Sequence, residues 1–360
     1  MHGMTAYFVR RILLVPLTFL CITFLVYTVL RLVPGGPVEE AKRQLKARAA
    51  GEAGGGGGGR GFEAVELTEA QVREIERYYK IDKPIPVGYA IWLGVYPDEE
   101  VGFSGILQGD FGRSTKYAEP VLDVIVSKFR ISLFFGLAGF FSTWLVCVPL
   151  GVYKAIRHRG IFDTGSSVLV FLGYSIPGFV ACLVLLVLFG GGTYFNLVPL
   201  GGYRPDPEDW DALSFGGKVL AQIHHMLVPV FGYLLGHFAT MTVLTKNSLL
   251  ENLGADYVRT AFAKGLPERR VIFVHALRNS LIPVTATIGH AFALIFAGSF
   301  LIEQVCNIQG MGLLGLTSLR ARDYAVVMGT MVFGELFFLF GNILSDLIWA
   351  AIDPRIRFGA

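Results

Sequence analysis

The sequence has 360 residues, of which 53% are hydrophobic and 16% are charged, whereas an average soluble domain is about 25% charged. This apolar share excludes an ordinary soluble enzyme and indicates an integral membrane protein. The net charge of +3 is too small for nucleic-acid binding through an overall electrostatic field. The four cysteines include no CxxC pair, so neither a disulfide framework nor a cysteine zinc site is indicated.

Charge-free apolar runs divide the chain into candidate membrane helices, since about 20 apolar residues cross the hydrocarbon core of a bilayer. The run 164–203 is too long for one crossing, and its glycines at 190–192 suggest a helix near 168–189 followed by a loop or a re-entrant segment. We therefore predict an all-α membrane protein. Its six spanning helices are expected at 12–30, 131–153, 168–189, 226–245, 282–302 and 326–352.

The distribution of basic residues predicts the orientation of these spans. With the N-terminus inside, the inner segments hold 13 Lys and Arg residues and the two short outer loops hold four. Because cytoplasmic loops are enriched in basic residues, we expect both termini in the cytoplasm. The first run resembles a secretory signal, but residues 32–37 form a poor cleavage site, so we expect it to remain as a membrane span.

A large outer loop, 34–130, follows the first span. Its glycine run Gly54–Gly59 has the composition of a flexible tether. Thr68 and Gln71 then form a helix-capping pattern in front of an apolar helical stripe. We expect a small folded subdomain near 66–125.

The chain lacks the sequence patterns of covalent chemistry. Neither the GxxxxGK[ST] phosphate loop nor the HExxH and GxSxG motifs occur. We therefore expect no catalytic residue, no metal site and no cofactor on this chain itself. Glu335 and Asp346 lie on one predicted span and leave open an ion-coupled secondary transporter or channel; a membrane scaffold is a third, weaker alternative.

The inner loop 246–281 is long for a passive connection between two spans. Val258, Ala261 and Phe262 fall at helical spacing and form a short apolar stripe, and Gly265 favours the end of the helix. A helix with so small an apolar face fits a groove on a soluble partner. It fits the lipid headgroups equally well, and the spacing alone leaves both interpretations open.

The same loop carries the most specific pattern in the sequence. Residues 257–266, followed by 275–279 and 281–283, resemble the EAA loop of permeases in the peptide branch of bacterial ABC importers. The resemblance covers nearly the whole chain, in order, through the segments 10–11, 34–37, 79–84, 109–114, 120–121, 149–151, 175–177 and 353–357. The long outer insertion and the segments 244–248 and 298–303 are most similar to the subgroup associated with oligopeptide and microcin C uptake.

The resemblance implies a type I ABC importer transmembrane domain preceded by an additional helix and an outer loop. The implied divisions are 1–33 for the cytoplasmic N-terminus and first helix, 34–125 for the periplasmic loop with its tether and subdomain, 126–346 for the transmembrane domain, and 347–360 for the end of the last helix and the cytoplasmic C-terminus.

In that family the EAA segment is the coupling helix, which docks into a cleft of the ATP-hydrolysing subunit. Carried over by position within 254–266, the coupling residues would be Asp256, Tyr257, Arg259, Ala261, Lys264 and Gly265. Two positions depart from the family pattern. Phe262 stands where the family usually has Arg, and residues 309–312 read Gln-Gly-Met-Gly where many relatives have Pro-Gly-Leu-Gly.

The resemblance also implies the partners and the location. The partners are a homologous second permease, one or more ATP-binding subunits that hold ATP and Mg, a periplasmic solute-binding protein and a peptide substrate. The location is the bacterial inner membrane, and nucleic acid is not expected as a partner. Glu303 matches the family and is either a substrate gate or an interfacial anchor. Glu335 is not a family feature and either contacts a cationic peptide or is a protonated structural acid.

Overall fold

The computed structural model describes residues 2–33, 80, 82–99, 101–192, 194–285, 288 and 298–352. Within these ranges every regular element is a helix, and β-structure is limited to isolated bridges. The α-helices in chain order are α1 (His2–Leu32), α2 (Ile85–Leu93), α3 (Val121–Ile156), α4 (Ile161–Ser175), α5 (Gly178–Phe189), α6 (Pro207–Ala212), α7 (Phe215–Leu253), α8 (Asp256–Ala263), α9 (Glu268–Arg270), α10 (Leu277–Ser280), α11 (Ile282–Thr285), α12 (Phe300–Val305), α13 (Met311–Arg320) and α14 (Tyr324–Ile352). A 3-10 turn at Ile106–Gln108 and a π-helical turn at Val271–Ala276 lie between them.

Four of the described helices are long and apolar enough to cross a membrane. They are Val9–Leu32 within α1, the whole of α3 and α7, and Tyr324–Ile348 within α14, and they contain or overlap four of the predicted spans. The predicted span at 282–302 lies mostly outside the described residues. The count of six spans therefore stays a prediction.

The predicted single helix at 168–189 is wrong. The helical segment begins earlier, at the start of α4, and is broken between α4 and α5, whose axes are bent by 92°. Pro177 disfavours the helical conformation of the residue before it, and Ile176 is accordingly extended, with φ −102° and ψ 117°. The glycines at 190–192 end α5, as expected from the sequence.

The described residues fall into two compact units, each with its own packing. The first comprises the described residues within Met1–Leu14, Ser127–Leu314 and Gly334–Ala360. One of its apolar cores joins α3, α5, α7 and the segment after α12 through the buried side chains of Phe135, Cys182, Val228 and Ile308. A second core in this unit packs against one face of α8.

The second unit comprises the described residues within Val15–Val126 and Gly315–Phe333. In it, the Tyr89 hydroxyl of α2 lies 2.8 Å from the Thr23 hydroxyl of α1, and both side chains are buried. The described part of the predicted subdomain 66–125 belongs to this unit, and the rest of that range lies outside the described residues. The predicted boundary at 125/126 falls inside the continuous helix α3.

Asp323 is a fully buried carboxylate that connects two segments of the second unit through hydrogen bonds. It accepts hydrogen bonds from the Ser114 hydroxyl at 2.5 Å and from the Lys116 amide at 3.1 Å, so it ties the segment before α3 to the start of α14. Because the Ser114 hydroxyl is buried, it needs a partner in the folded protein.

We expect Asp323→Ala to lower the melting temperature of the detergent-solubilised protein, because the loss leaves the buried Ser114 hydroxyl without its acceptor at a cost of about 1–3 kcal/mol. Glu119→Ala, which removes an exposed carboxylate from the same segment, is the matched control and should change the melting temperature little. Equal melting temperatures for the two variants would contradict this role of Asp323.

Candidate functional site

The helix α8 lies in the loop that the sequence singled out. Asp256 occupies its first turn, where a negative charge complements the helix dipole. Just beyond its C-terminal end, Gly265 has φ +73°, and its amide donates to the Phe262 carbonyl at 2.9 Å. A residue with a side chain is strained at this φ, so glycine ends the helix there, as the sequence predicted.

One face of α8 is buried inside the protein itself. Val258 is fully buried and Ala261 is 6% exposed. They pack in one apolar core with buried residues from α3, α7 and the π-helical turn, namely Val152, Ala155, Leu249, Val271 and Ala276.

This burial places Ala261 against its own chain, and its contact with a partner stays a prediction. Of the apolar stripe that the spacing identified, Val258 and Ala261 pack against the ends of α3 and α7, whereas Phe262 is exposed. Burying a short apolar face against the same chain is favourable because it removes apolar surface from water even when no partner is bound. Ala261 therefore attaches α8 to the rest of the chain.

The opposite face of α8 is exposed and carries both polar and aromatic side chains. Tyr257 is 41% exposed and Phe262 is 45% exposed, although the sequence placed Phe262 on the buried stripe. Arg259 forms an exposed ion pair with Asp256 at 3.5 Å. Exposed pairs of this kind contribute about 0–1 kcal/mol, so Arg259 can change partners at little cost. Lys264, at the end of the helix, is exposed as well.

Hydrogen bonds fix the segments on both sides of α8. The Tyr257 hydroxyl donates to Asn252 Oδ1 at 2.7 Å, and the buried Ser248 hydroxyl donates to the Ser280 carbonyl at 2.8 Å. Sequence reasoning missed Ser248, Ser280 and the packing of Val271. The apolar residues at 271, 272 and 276 were the available signal, but they gave no indication of which helix they would cover.

Glu303 is 1% exposed and lies among backbone and hydroxyl donors. Its carboxylate accepts from the Ser132 hydroxyl of α3 at 3.0 Å and from the Leu313 amide of α13 at 2.7 Å. A Cβ added at Gly298 or Gly310 would meet the carboxylate, so these glycines leave room for it. Glu303 thus holds the start of α13 against α3, and a gating role for it stays a prediction.

The two acids of α14 have different surroundings. Asp346 is buried, forms an ion pair with Arg11 of α1 and accepts from the Tyr7 hydroxyl at 3.2 Å. Glu335 is half-buried, and its Oε1 atom has no hydrogen-bond partner among the described residues. Glu335 and Asp346 therefore do not form a pair of equivalent, unengaged acids along the helix.

Comparison with known proteins gives consistent results over the whole chain. Residues 147–358 match the family described as binding-protein-dependent transport system inner membrane component. The chain is 34% identical to the inner membrane ABC transporter permease protein YejB of Escherichia coli O157:H7, over 99% of both chains. It is also 34% identical to the peptidoglycan transport system permease protein YejB of Agrobacterium fabrum, over 99% of both chains. Its identity to the dipeptide transport system permease protein DppB of Escherichia coli K12 is 31%, over 98% of this chain and 99% of that one. The resemblance inferred from the motifs is confirmed.

The two faces of α8 predict opposite outcomes for matched substitutions. Ala261→Asp should lower the melting temperature sharply, because an unpaired buried charge costs about 3–5 kcal/mol. Phe262→Asp, one residue away on the exposed face, should leave the melting temperature nearly unchanged. Thermal unfolding of both variants in the same detergent checks this. Equal losses would mean that the assignment of the two faces is wrong.

Proposed function

This chain belongs to the family of binding-protein-dependent transport system inner membrane components, and we propose that it is the membrane-spanning permease subunit of an ATP-driven importer of oligopeptides or peptide-like compounds. Relatives that match it over nearly their full length are named as permeases for peptidoglycan and dipeptide transport. In this proposal the chain forms half of the translocation path, and its substrate is delivered by a periplasmic binding protein.

The exposed face of α8 is the docking surface for the ATP-hydrolysing subunit. The observation that carries this assignment is the division of the helix, with Val258 and Ala261 buried against the ends of α3 and α7 while Tyr257, Arg259 and Phe262 stay exposed. A partner that moves such a helix must also move the two long helices to which it is attached. Asp256 and Lys264 add charges at the two ends of this surface.

In this proposal, partner subunits supply the energy for transport. The ATP-binding subunits hold ATP and Mg, and a homologous second permease completes the path through the membrane. The binding protein and the nucleotide-driven subunits each favour one conformation, so together they shift the equilibrium between inward-open and outward-open states. In this proposal the predicted six spans, oriented by their basic residues, leave both termini in the cytoplasm, and α8 then lies on the cytoplasmic side.

Glu335 is the side chain that we assign to the peptide itself. An acid inside a membrane span is a functional candidate by default, and the buried Oε1 atom of Glu335 has no hydrogen-bond partner among the described residues. Asp346, by contrast, already has Arg11 as its partner.

We expect the purified chain alone in liposomes neither to hydrolyse ATP nor to accumulate peptide, because the phosphate-binding site lies on another subunit. Reconstitution with the second permease, the ATPase subunits and the binding protein should give peptide uptake that requires ATP. The measurement is uptake of a labelled oligopeptide alongside phosphate release. Strong uptake by the chain alone, driven only by an ion gradient, would overturn the proposal in favour of a secondary transporter.

A further inference from the structure

A buried ion cluster lies where the ends of α3, α4 and α7 meet, within the first unit. Its members are Lys154, Asp163 and Lys246, which we call the Asp163 cluster. Lys154 is 1% exposed and Asp163 is 4% exposed, although both carry charge. Charged side chains are rarely buried so completely unless they are paired.

Lys154 binds α3 to α4. Its ammonium group donates to the Asp163 carbonyl and to the hydroxyls of Ser166 and Ser167, each at 2.8 Å. A lysine ammonium has three N–H donors, so these three acceptors on α4 satisfy all of them. The junction of α3 and α4 is therefore complete without any contribution from α7.

Lys246 supplies the ionic contact between α4 and α7. Its ammonium lies 2.7 Å from one carboxylate oxygen of Asp163 and 2.8 Å from the other. The same carboxylate also accepts from the Arg159 amide at 3.0 Å, which fixes its position at the start of α4. Among the described members of the cluster, Lys246 is the only one that α7 carries.

The position of Lys246 along α7 connects this contact to α8. It lies three residues before Leu249, which is fully buried in the core that also holds Val258 and Ala261. A displacement of α8 therefore reaches the end of α7 through the apolar core. It can then reach α4, and beyond the 92° bend α5, through the contact between Lys246 and Asp163.

We propose that Lys246 and Asp163 are positioning residues that pass the movement of α8 to the bent pair α4–α5. This inference rests on the proposed function of α8 as the docking helix for an ATP-hydrolysing subunit. A buried ion pair adds little net stability compared with well-packed apolar groups, but its hydrogen bonds fix the relative position of the two helices. The pair thus keeps α4 in register with α7 when the end of α7 moves.

The charges of the cluster suggest which variant to test. Asp163→Asn would leave two lysines without a carboxylate and risks unfolding the protein. Lys246→Gln leaves Asp163 paired with Lys154, whose ammonium lies 3.2 Å from Asp163 Oδ1, and removes only the ionic contact to α7. Lys246→Arg keeps the charge and the paired hydrogen bonds. Lys218→Gln, near the other end of the same helix, is the matched control.

The experiment uses the complete transporter in proteoliposomes and measures peptide uptake and binding-protein-stimulated ATP hydrolysis in the same sample. We expect Lys246→Gln to lower the number of peptides imported per ATP hydrolysed by about three- to thirtyfold while stimulated hydrolysis continues. Lys246→Arg and Lys218→Gln should keep the wild-type ratio.

An unchanged ratio in Lys246→Gln would overturn the inference. So would a parallel loss of uptake, hydrolysis and melting temperature, because that result means a purely structural role. A wild-type complex without stimulated hydrolysis would instead refute the proposed function, and the inference with it, so the two failures are distinguishable.

Discussion

The inner face of α8 is held in an apolar core at the ends of α3 and α7, and the orientation of every other residue of the helix follows from this contact. A helix of eight residues is unstable by itself in water, because nucleation is unfavourable and so short a helix forms too few backbone hydrogen bonds to offset it. Burial of Val258 and Ala261 provides the missing stability. With those two side chains inside, the helical period turns Tyr257, Arg259 and Phe262 toward the solvent.

Polar contacts, in addition to the apolar core, fix the helices that meet near α8. Ser248 bonds to the backbone at Ser280, and the Asp163 cluster joins α3, α4 and α7. Beyond α4 the chain bends by 92° at Pro177. A displacement of the exposed face of α8 can thus be transmitted to α3, α4 and α7 through packed side chains and short hydrogen bonds.

The sequence predicted elements that depend on local chemistry and missed those that depend on distant partners. Long charge-free runs located the spans in α1, α3, α7 and α14, and Gly265 was correctly expected to end α8. The predicted helix at 168–189 ran through Pro177 because a proline inside an apolar run can be accommodated as well as bend or break the helix. The partners of Ala261 and Glu303 are far away in the sequence, and a single sequence does not record which segments meet.

The most direct test of this account is the reactivity of single cysteines on the two faces of α8 toward a maleimide, in a chain whose four native cysteines have been replaced. We predict that Phe262→Cys reacts quickly in the isolated permease and becomes protected when the ATP-hydrolysing subunits bind. Ala261→Cys should react slowly in both states, because its side chain lies in the core. Rapid labelling of Ala261→Cys in the isolated permease, with protection on assembly, would contradict the account and make the apolar stripe the docking face.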